Sequence, residues 1–517
     1  MLICLNACNI KQNQENSTLS ALDKYITLKM ERDNVPGLSA CIIKGDQIVW
    51  SKGYGWADVE QKIPLNENSI IGVASISKLI TAAAIMQLSE QNKIILSDPV
   101  NKYIPFKIQH PVHSDVEITI AQILSHTSSI SNGPSLWRSY RCSYETINLE
   151  EWARAYFLPE GEFYHKGNFT EWKPGEGFLY SNAGYALLSY LIEVVSGMPF
   201  NQYCKINVFE PLNMQNTSFE IADLDKRKLA TKYSYGYNMD LERDLIPQNV
   251  DYKKIIMGHY FFPLCNYTSP TYAAGGLYSN VVELSKFLFM LMNAGIYKDK
   301  VLLSDKSVNK ILSPYVDSSL LPGQFAAFGL GGYAMKLNNG APVWGHTGAD
   351  PGTSTFMLFN PEIKIGAIVL ANRFVDIRDL IEWFFAEGFS EYWNKPTDHI
   401  DKSWKQYSNM EMRRKVGFRI KSNYLPGGSQ IYIIGNHRYL GRWVNAGIPL
   451  LPQKDGIWEK TIFFVDSTEI EFKITRGSFD KEAVTFSDGK ALPKFTYLVE
   501  KDTVFNITIE DWKDLWE

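Results

Sequence analysis

Two paired strand patterns, one early in the chain and one late, bracket a long helical middle, and this arrangement constrains the fold more than any other feature. Leu38–Ile43 and Gln47–Trp50 are strand-like runs joined at Gly45-Asp46, a dipeptide suited to a tight hairpin. Ser354–Phe359 and Lys364–Leu370 repeat the pattern around Asn360-Pro361-Glu362. Helical signals run over Leu19–Glu31, then from Ser75 to about Gln91, a stretch rich in Ala and Leu with no internal Gly or Pro. Two more cover Ala183–Ser196, stopping at Gly197 as a C-terminal cap, and Val281–Asn293, ending near Gly295. Hairpins at both ends with helices between them predict an α/β (α+β) fold, one antiparallel sheet flanked by helices.

At 517 residues the chain is too long for one ordinary core. The pattern changes after about residue 395. Residues 396–415 read as a polar, basic linker. From Val416 short strand-like runs follow (Gln430–Ile434, Thr461–Val465, Glu469–Thr475, Val504–Ile509), separated by glycine and aspartate turns. That predicts a small β-sandwich over 416–517 behind a larger domain over 18–395.

A net charge of -4 with 45% hydrophobic residues gives no basis for binding nucleic acid or an anionic membrane. No apolar run of about 18 residues lies beyond the N-terminus, so no transmembrane segment is expected. The six cysteines (4, 8, 41, 142, 204, 265) show no Cys-x-x-Cys spacing and read as reduced or core residues rather than a zinc site or a disulfide framework. The histidines form no metal spacing either; no metal and no cofactor are expected. Residues 1–17 have two readings. Leu5-Asn6-Ala7-Cys8 resembles the end of a bacterial lipoprotein signal, which would make Cys8 a lipid anchor and place the protein in the periplasm or cell envelope; the other reading is a disordered tail of a secreted protein.

Chemistry enters at Ser75-Ile76-Ser77-Lys78, at the start of the helical pattern. Positions three apart share a helix face, so the Lys78 amine can reach the Ser75 hydroxyl. A serine becomes nucleophilic when a base takes its proton, and a lysine is that base only when burial or other cations lower its pKa. Ser-x-x-Lys also occurs at Ser307, Ser478 and Ser487, so context decides. Tyr180-Ser181-Asn182 and His346-Thr347-Gly348 follow the Ser75 copy in order.

The ordered set resembles the serine β-lactamase and penicillin-binding-protein superfamily, on its class C and D-aminopeptidase or esterase side. Ile118 to Ser128, Pro174-Gly175, Ala274-Gly275-Gly276-Leu277 and Asn360-Pro361-Glu362 strengthen the likeness, which spans roughly 18–375. It implies an all-helical subdomain beside the sheet and an acyl-enzyme on Ser75. Lys78 and Tyr180 would share proton transfer, with Lys78 stabilising the phenolate; Asn182 would orient Lys78. The N–H groups of Ser75 and Ala349 would form an oxyanion hole, with Thr347 and Gly348 lining the substrate strand. His346 stands where many relatives carry lysine. A histidine is only partly cationic near neutrality, which favours carboxylic esters or D-amino-acid peptides over an anionic β-lactam while leaving a β-lactamase or penicillin-binding D-peptidase as the alternative.

Each residue also has a non-catalytic reading. Ser75 could cap a helix, Tyr180 could be a core aromatic, and His346 a loop residue. A second Tyr-Ser-Asn, at Tyr278, is read as structural because Asn280 and Glu283 form a capping-box pattern before a helix. His126 is read as a loop brace. The rival from another class is a silent sensor of peptide or glycan using the same cleft.

Ile431 to His437 with Leu440-Gly441-Arg442-Trp443, Glu471-Phe472-Lys473 and Trp512 resemble a starch-binding module. The resemblance implies that Trp443 stacks on sugar and Lys473 hydrogen-bonds it, with Phe479 the nearest aromatic to a second platform. Trp443 as sandwich core is the equal alternative.

Overall fold

A computed structural model describes residues 22–133, 136, 142, 148–235, 261–338, 340–387, 413–426, 429–436, 440, 448–465, 468–476, 483–484 and 492–512. They divide into two compact units, one from 22–234 and 263–387, the other chiefly from 413–512.

Eight strands build the sheet of the first unit: β1 Gly37–Lys44, β2 Gln47–Asp58, β3 Ile63–Pro64, β4 Ala327–Phe328, β5 Tyr333–Lys336, β6 Pro342–Asp350, β7 Thr353–Asn360 and β8 Ile365–Ala371. Their order is β4-β5-β6-β7-β8-β1-β2-β3. All neighbours are antiparallel. The two sequence hairpins are β1–β2 and β7–β8, and they meet at the centre, Leu38 opposite Ala371 and Lys44 opposite Ile365. Every residue of β7 and β8 is buried, as are all but the last of β1. Strands covered on both faces read as nearly continuous apolar runs, which is why all three were legible. Gly45 takes a left-handed φ of 61° at the first turn. At the second, Asn360 Oδ1 accepts the Glu362 N–H at 2.9 Å.

Three long helices match the sequence pattern: α1 Ser77–Glu90, α2 Asn182–Ser196 and α3 Val281–Met292. α1 is buried from Ser77 to Leu88, as expected of a helix with no polar face. α2 ends at Gly197 with φ 72°. α3 lies on the sheet, its Leu288 and Met292 reaching Gly366 of β8. Its cap is half of the expected box: Asn280 Oδ1 accepts the Glu283 N–H, but the Glu283 carboxylate turns to the Asn216 N–H and the Thr217 hydroxyl.

In the second unit, two four-stranded sheets enclose a core of Phe418, Phe472, Ile433, Ile474, Phe464 and Trp512. Its first strand, Arg413–Ser422, runs parallel to Thr503–Ile509. Of the linker expected over 396–415, only residues 413–415 are described, and they belong to that strand. Residues 1–21, with Cys4 and Cys8, lie outside the described residues.

The cysteine reading needs one correction. Cys41 and Cys204 are free and buried, but Cys142 and Cys265 form a disulfide with Cα atoms 5.6 Å apart. They are 123 residues apart in sequence, and no local spacing reports proximity created by tertiary folding. Among the described residues no single helix is long and apolar enough to cross a membrane.

Candidate active site

Ser75 sits in a 3-10 turn, Ala74–Ile76, immediately ahead of α1 rather than as its first residue. Ala74 takes a left-handed φ of 55°, a strained conformation for a residue with a Cβ. The surroundings over-determine it. Ser77 Oγ donates to the Ala74 carbonyl at 2.5 Å and accepts the Leu277 N–H at 3.2 Å. Thr355 of β7 donates to the Val73 carbonyl at 2.8 Å. Ser77, the second serine of the tetrapeptide, is therefore a brace for the first.

Lys78 is fully buried on α1. Its Nζ lies 3.1 Å from Ser75 Oγ and donates to the Ala274 carbonyl at 2.7 Å. It stands 4.7 Å from the Tyr180 ring centre and 5.5 Å from that of Tyr185. Burial among these rings lowers its pKa to about 7, against the opposing pull of Asp350. The Ala274-Gly275-Gly276-Leu277 stretch thus has a physical job, supplying the Ala274 acceptor and the Leu277 N–H that holds Ser77.

Tyr180 lies just before α2, whose cap is Ser181, with Oγ accepting the Gly184 N–H at 3.0 Å. Burial pushes the Tyr180 phenol well above its usual value, and a hydrogen bond with Ser75 only partly opposes this. Tyr180 therefore stays a phenol at rest even with the Lys78 ammonium 4.7 Å from its ring centre. The Tyr180 hydroxyl is 3.3 Å from His346 Nε2. His346 Nδ1 contacts the Thr347 carbonyl, so Nδ1 carries the proton and Nε2 accepts from Tyr180. Burial, aided by the charge on Lys78, holds the His346 pKa down at about 3. The partial positive charge expected at this position is therefore absent at neutral pH.

Thr347 and Gly348 are placed by contacts invisible in local sequence. The Tyr333 hydroxyl of β5 accepts the Thr347 N–H at 2.9 Å and pairs with its Oγ1 at 2.6 Å. A Cβ on Gly348 would meet the Val73 carbonyl oxygen at 2.5 Å and Ala74 Cβ at 3.0 Å. Glycine alone lets β6 approach the nucleophile's backbone this closely. Asn182 differs from expectation. Its N–H donates to Asn132 Oδ1 at 2.7 Å, but Lys78 bonds Ser75 and Ala274 instead, leaving Asn182 Oδ1 buried without a partner among the described residues.

His126 is a brace, as read. Its Nδ1 accepts the Ser181 N–H at 3.1 Å, and its ring lies 4.3 Å from that of Tyr180. Sequence reasoning missed Tyr333, whose only signal is a place on a short strand between Phe328 of β4 and Gly345 of β6. Among the described residues no group of three His, Cys, Asp or Glu side chains could hold a metal ion. In the second unit Lys473 is half-buried on the strand Thr468–Thr475, and Trp512 is core, its Nε1 donating to the Tyr424 carbonyl at 2.9 Å. Trp443 and Phe479 lie outside the described residues.

A buried lysine on a nucleophilic serine, a tyrosine from the helical side and a histidine strand closing the cleft accord with the β-lactamase family profile, which matches residues 22–387. The chain belongs to that family. The starch binding domain profile matches residues 413–501. The protein is similar to the Protein flp of Staphylococcus aureus (strain N315), 27% identical over 359 residues, 69% of this chain and 64% of that one. It is also similar to penicillin-binding protein 4* of Bacillus subtilis (strain 168), 25% identical over 455 residues, 86% of this chain and 92% of the relative. Among solved structures the octameric penicillin-binding protein homologue of Pyrococcus abyssi shares the fold (TM-score 0.57, 22% identity, 90% of this chain and 95% of that one). So does the D-amino acid amidase of Ochrobactrum anthropi SV3 (TM-score 0.53, 21% identity, 76% and 99%).

Proposed function

We propose that the protein is a serine hydrolase that forms an acyl-enzyme on Ser75, acting on carboxylic esters or peptides of D-amino acids. The observation that carries this reading is Lys78 Nζ at 3.1 Å from Ser75 Oγ with a pKa lowered to about 7. Half-deprotonated near neutrality, Lys78 takes the Ser75 proton as Oγ attacks the carbonyl carbon. The N–H groups of Ser75 and Ala349 hold the oxyanion. The proton passes to the leaving group through Lys78 and the neutral Tyr180 phenol, whose own hydroxyl is held by His346 Nε2. Water then enters and gives a proton to Lys78 as its oxygen attacks the acyl carbon, and Lys78 passes that proton to Ser75 Oγ as the acyl group leaves as the carboxylic acid. The unpartnered Asn182 Oδ1 accepts an N–H from the acyl side of the substrate. With His346 neutral, nothing on the third motif attracts a β-lactam carboxylate, and the named D-amino acid amidase relative supports the D-peptide reading. Hydrolysis of p-nitrophenyl acetate by wild type and Ser75→Ala tests this; equal rates would end it.

An envelope or extracellular location, with Cys8 as a lipid anchor, completes the proposal. The Cys142–Cys265 disulfide supports it, since such bonds persist in oxidising compartments. Metabolic labelling with a fatty acid, lost in Cys8→Ala, tests the anchor. The starch-binding match over residues 413–501 supports glycan binding by the second unit. Retention on amylose should require residues 413–517; no retention by the full chain would rule it out.

A further inference from the structure

The side of β6 that faces the nucleophile carries a second chemical group beyond the three motifs. Alternate residues of a strand share a face, so His346, Gly348 and Asp350 stand in line. His346 meets Tyr180, and Gly348 touches Val73 and Ala74. Asp350 falls about 7 Å further along, one pleat repeat beyond Gly348. The nucleophile is thus bracketed by a neutral histidine on one side and a carboxylate on the other. Asp350 closes β6 and is partly buried, on the strand face that also carries His346.

Asp350 is held but not consumed by its surroundings. Oδ2 accepts from the Tyr267 hydroxyl at 2.5 Å. Oδ1 has no hydrogen-bond partner among the described residues, and the residue keeps partial solvent access. The nearby cation, Lys232, makes no salt bridge to it. Lys232 is 5% exposed and packs its ammonium on the rings of Tyr267, at 4.1 Å, and Tyr278, at 4.8 Å. Its charge still favours the Asp350 carboxylate. Burial raises the Asp350 pKa, opposed by Lys232, the Tyr267 hydroxyl and Lys78, and an arriving ammonium would favour the carboxylate form further.

We propose that Asp350, positioned by Tyr267, is the recognition group for a substrate's free primary ammonium, one to a few bonds from the scissile carbonyl. The inference rests on the hydrolase reading above and deepens it: the acyl donor is an aminoacyl compound with an unblocked amine. Oδ1 accepts from the ammonium while the adjacent Ala349 N–H holds the carbonyl oxygen. A blocked amine brings no positive charge to pair with Asp350, and a carboxylate at that place meets like charge.

The test compares kcat/KM for D-alanine p-nitroanilide with that for its N-acetyl derivative. Wild type should favour the free amine, and Asp350→Asn should reduce that ratio about 10- to 100-fold, the scale of one charge-assisted hydrogen bond. Taking the ratio cancels any general effect of Asp350 on Lys78 or on folding. Asp350→Glu, keeping the charge, should restore part of the preference. A ratio unchanged by Asp350→Asn, or a wild-type preference for the blocked amine, overturns the proposal. Calorimetric binding of D-alaninamide to wild type and Asp350→Asn separates the two readings. Amine binding lost in Asp350→Asn without Ser75-dependent turnover leaves the anchor standing and removes the hydrolase. Ser75-dependent turnover indifferent to the amine does the reverse.

Discussion

The Tyr180 hydroxyl lies 3.3 Å from His346 Nε2, a nitrogen that accepts because its ring partner Nδ1 is committed to the Thr347 carbonyl. The phenol is thus a donor at rest, pushed above its usual pKa by burial, and the group that titrates into its basic form near neutrality is Lys78.

This assignment gives a pH profile with a definite sign. Lys78 works as the neutral amine and its pKa is about 7, so kcat/KM for p-nitrophenyl acetate should rise with pH and level off above about 8. Lys78→Arg, always charged, should lose on the order of 100- to 10,000-fold at every pH. A rising limb centred below pH 5 would show that another group is the base.

His346→Lys should restore a cation beside Tyr180. Like charge then lowers the Lys78 pKa further, and the acid limb should move to lower pH. Hydrolysis of a chromogenic cephalosporin should rise roughly tenfold relative to p-nitrophenyl acetate, about 1.4 kcal/mol of added attraction for its carboxylate. Steady-state kinetics of both substrates over pH reads the two effects.

Tyr333→Phe removes the hydroxyl that meets both the N–H and Oγ1 of Thr347. Leaving those half-buried groups unpaired should cost about 1 kcal/mol in urea denaturation. It should also lower kcat, because β6 carries Ala349. A change in stability with kcat untouched would confine Tyr333 to the fold.

Mass mapping of the non-reduced protein should find a Cys142–Cys265 peptide pair. Cys265→Ser should reduce stability by about 2–4 kcal/mol, the usual scale for losing a bridge across a long loop, measured by denaturant titration of the folded variant.

The hairpins, the three long helices and the order of the motifs were legible because each depends on neighbours in sequence. Gly45 makes a turn, Gly197 ends α2, and Ser75 meets Lys78 through helical spacing. The start of α1 was shifted because the Ala74 turn is imposed by Thr355 and Leu277, both distant in the chain. The short strands Ala327–Phe328 and Tyr333–Lys336 went unread because pairing with each other, and of the second with β6, rather than their own pattern, makes them strands.

By itself the sequence determined which side chains are present and in what order: Ser75, Lys78, Tyr180, Asn182 and His346, with enough local pattern to name the sheet and helices that carry them. Only the tertiary structure decided what those side chains are chemically. The neutrality of His346, the lowered pKa of Lys78 and the raised one of Tyr180 arise from desolvation where α1, α2 and β6 converge. Tyr333 on Thr347, Tyr267 on Asp350 and Cys142 on Cys265 were likewise decided there. A charge state or a long-range contact depends on what packs around a group, and packing joins residues that the linear chain holds far apart.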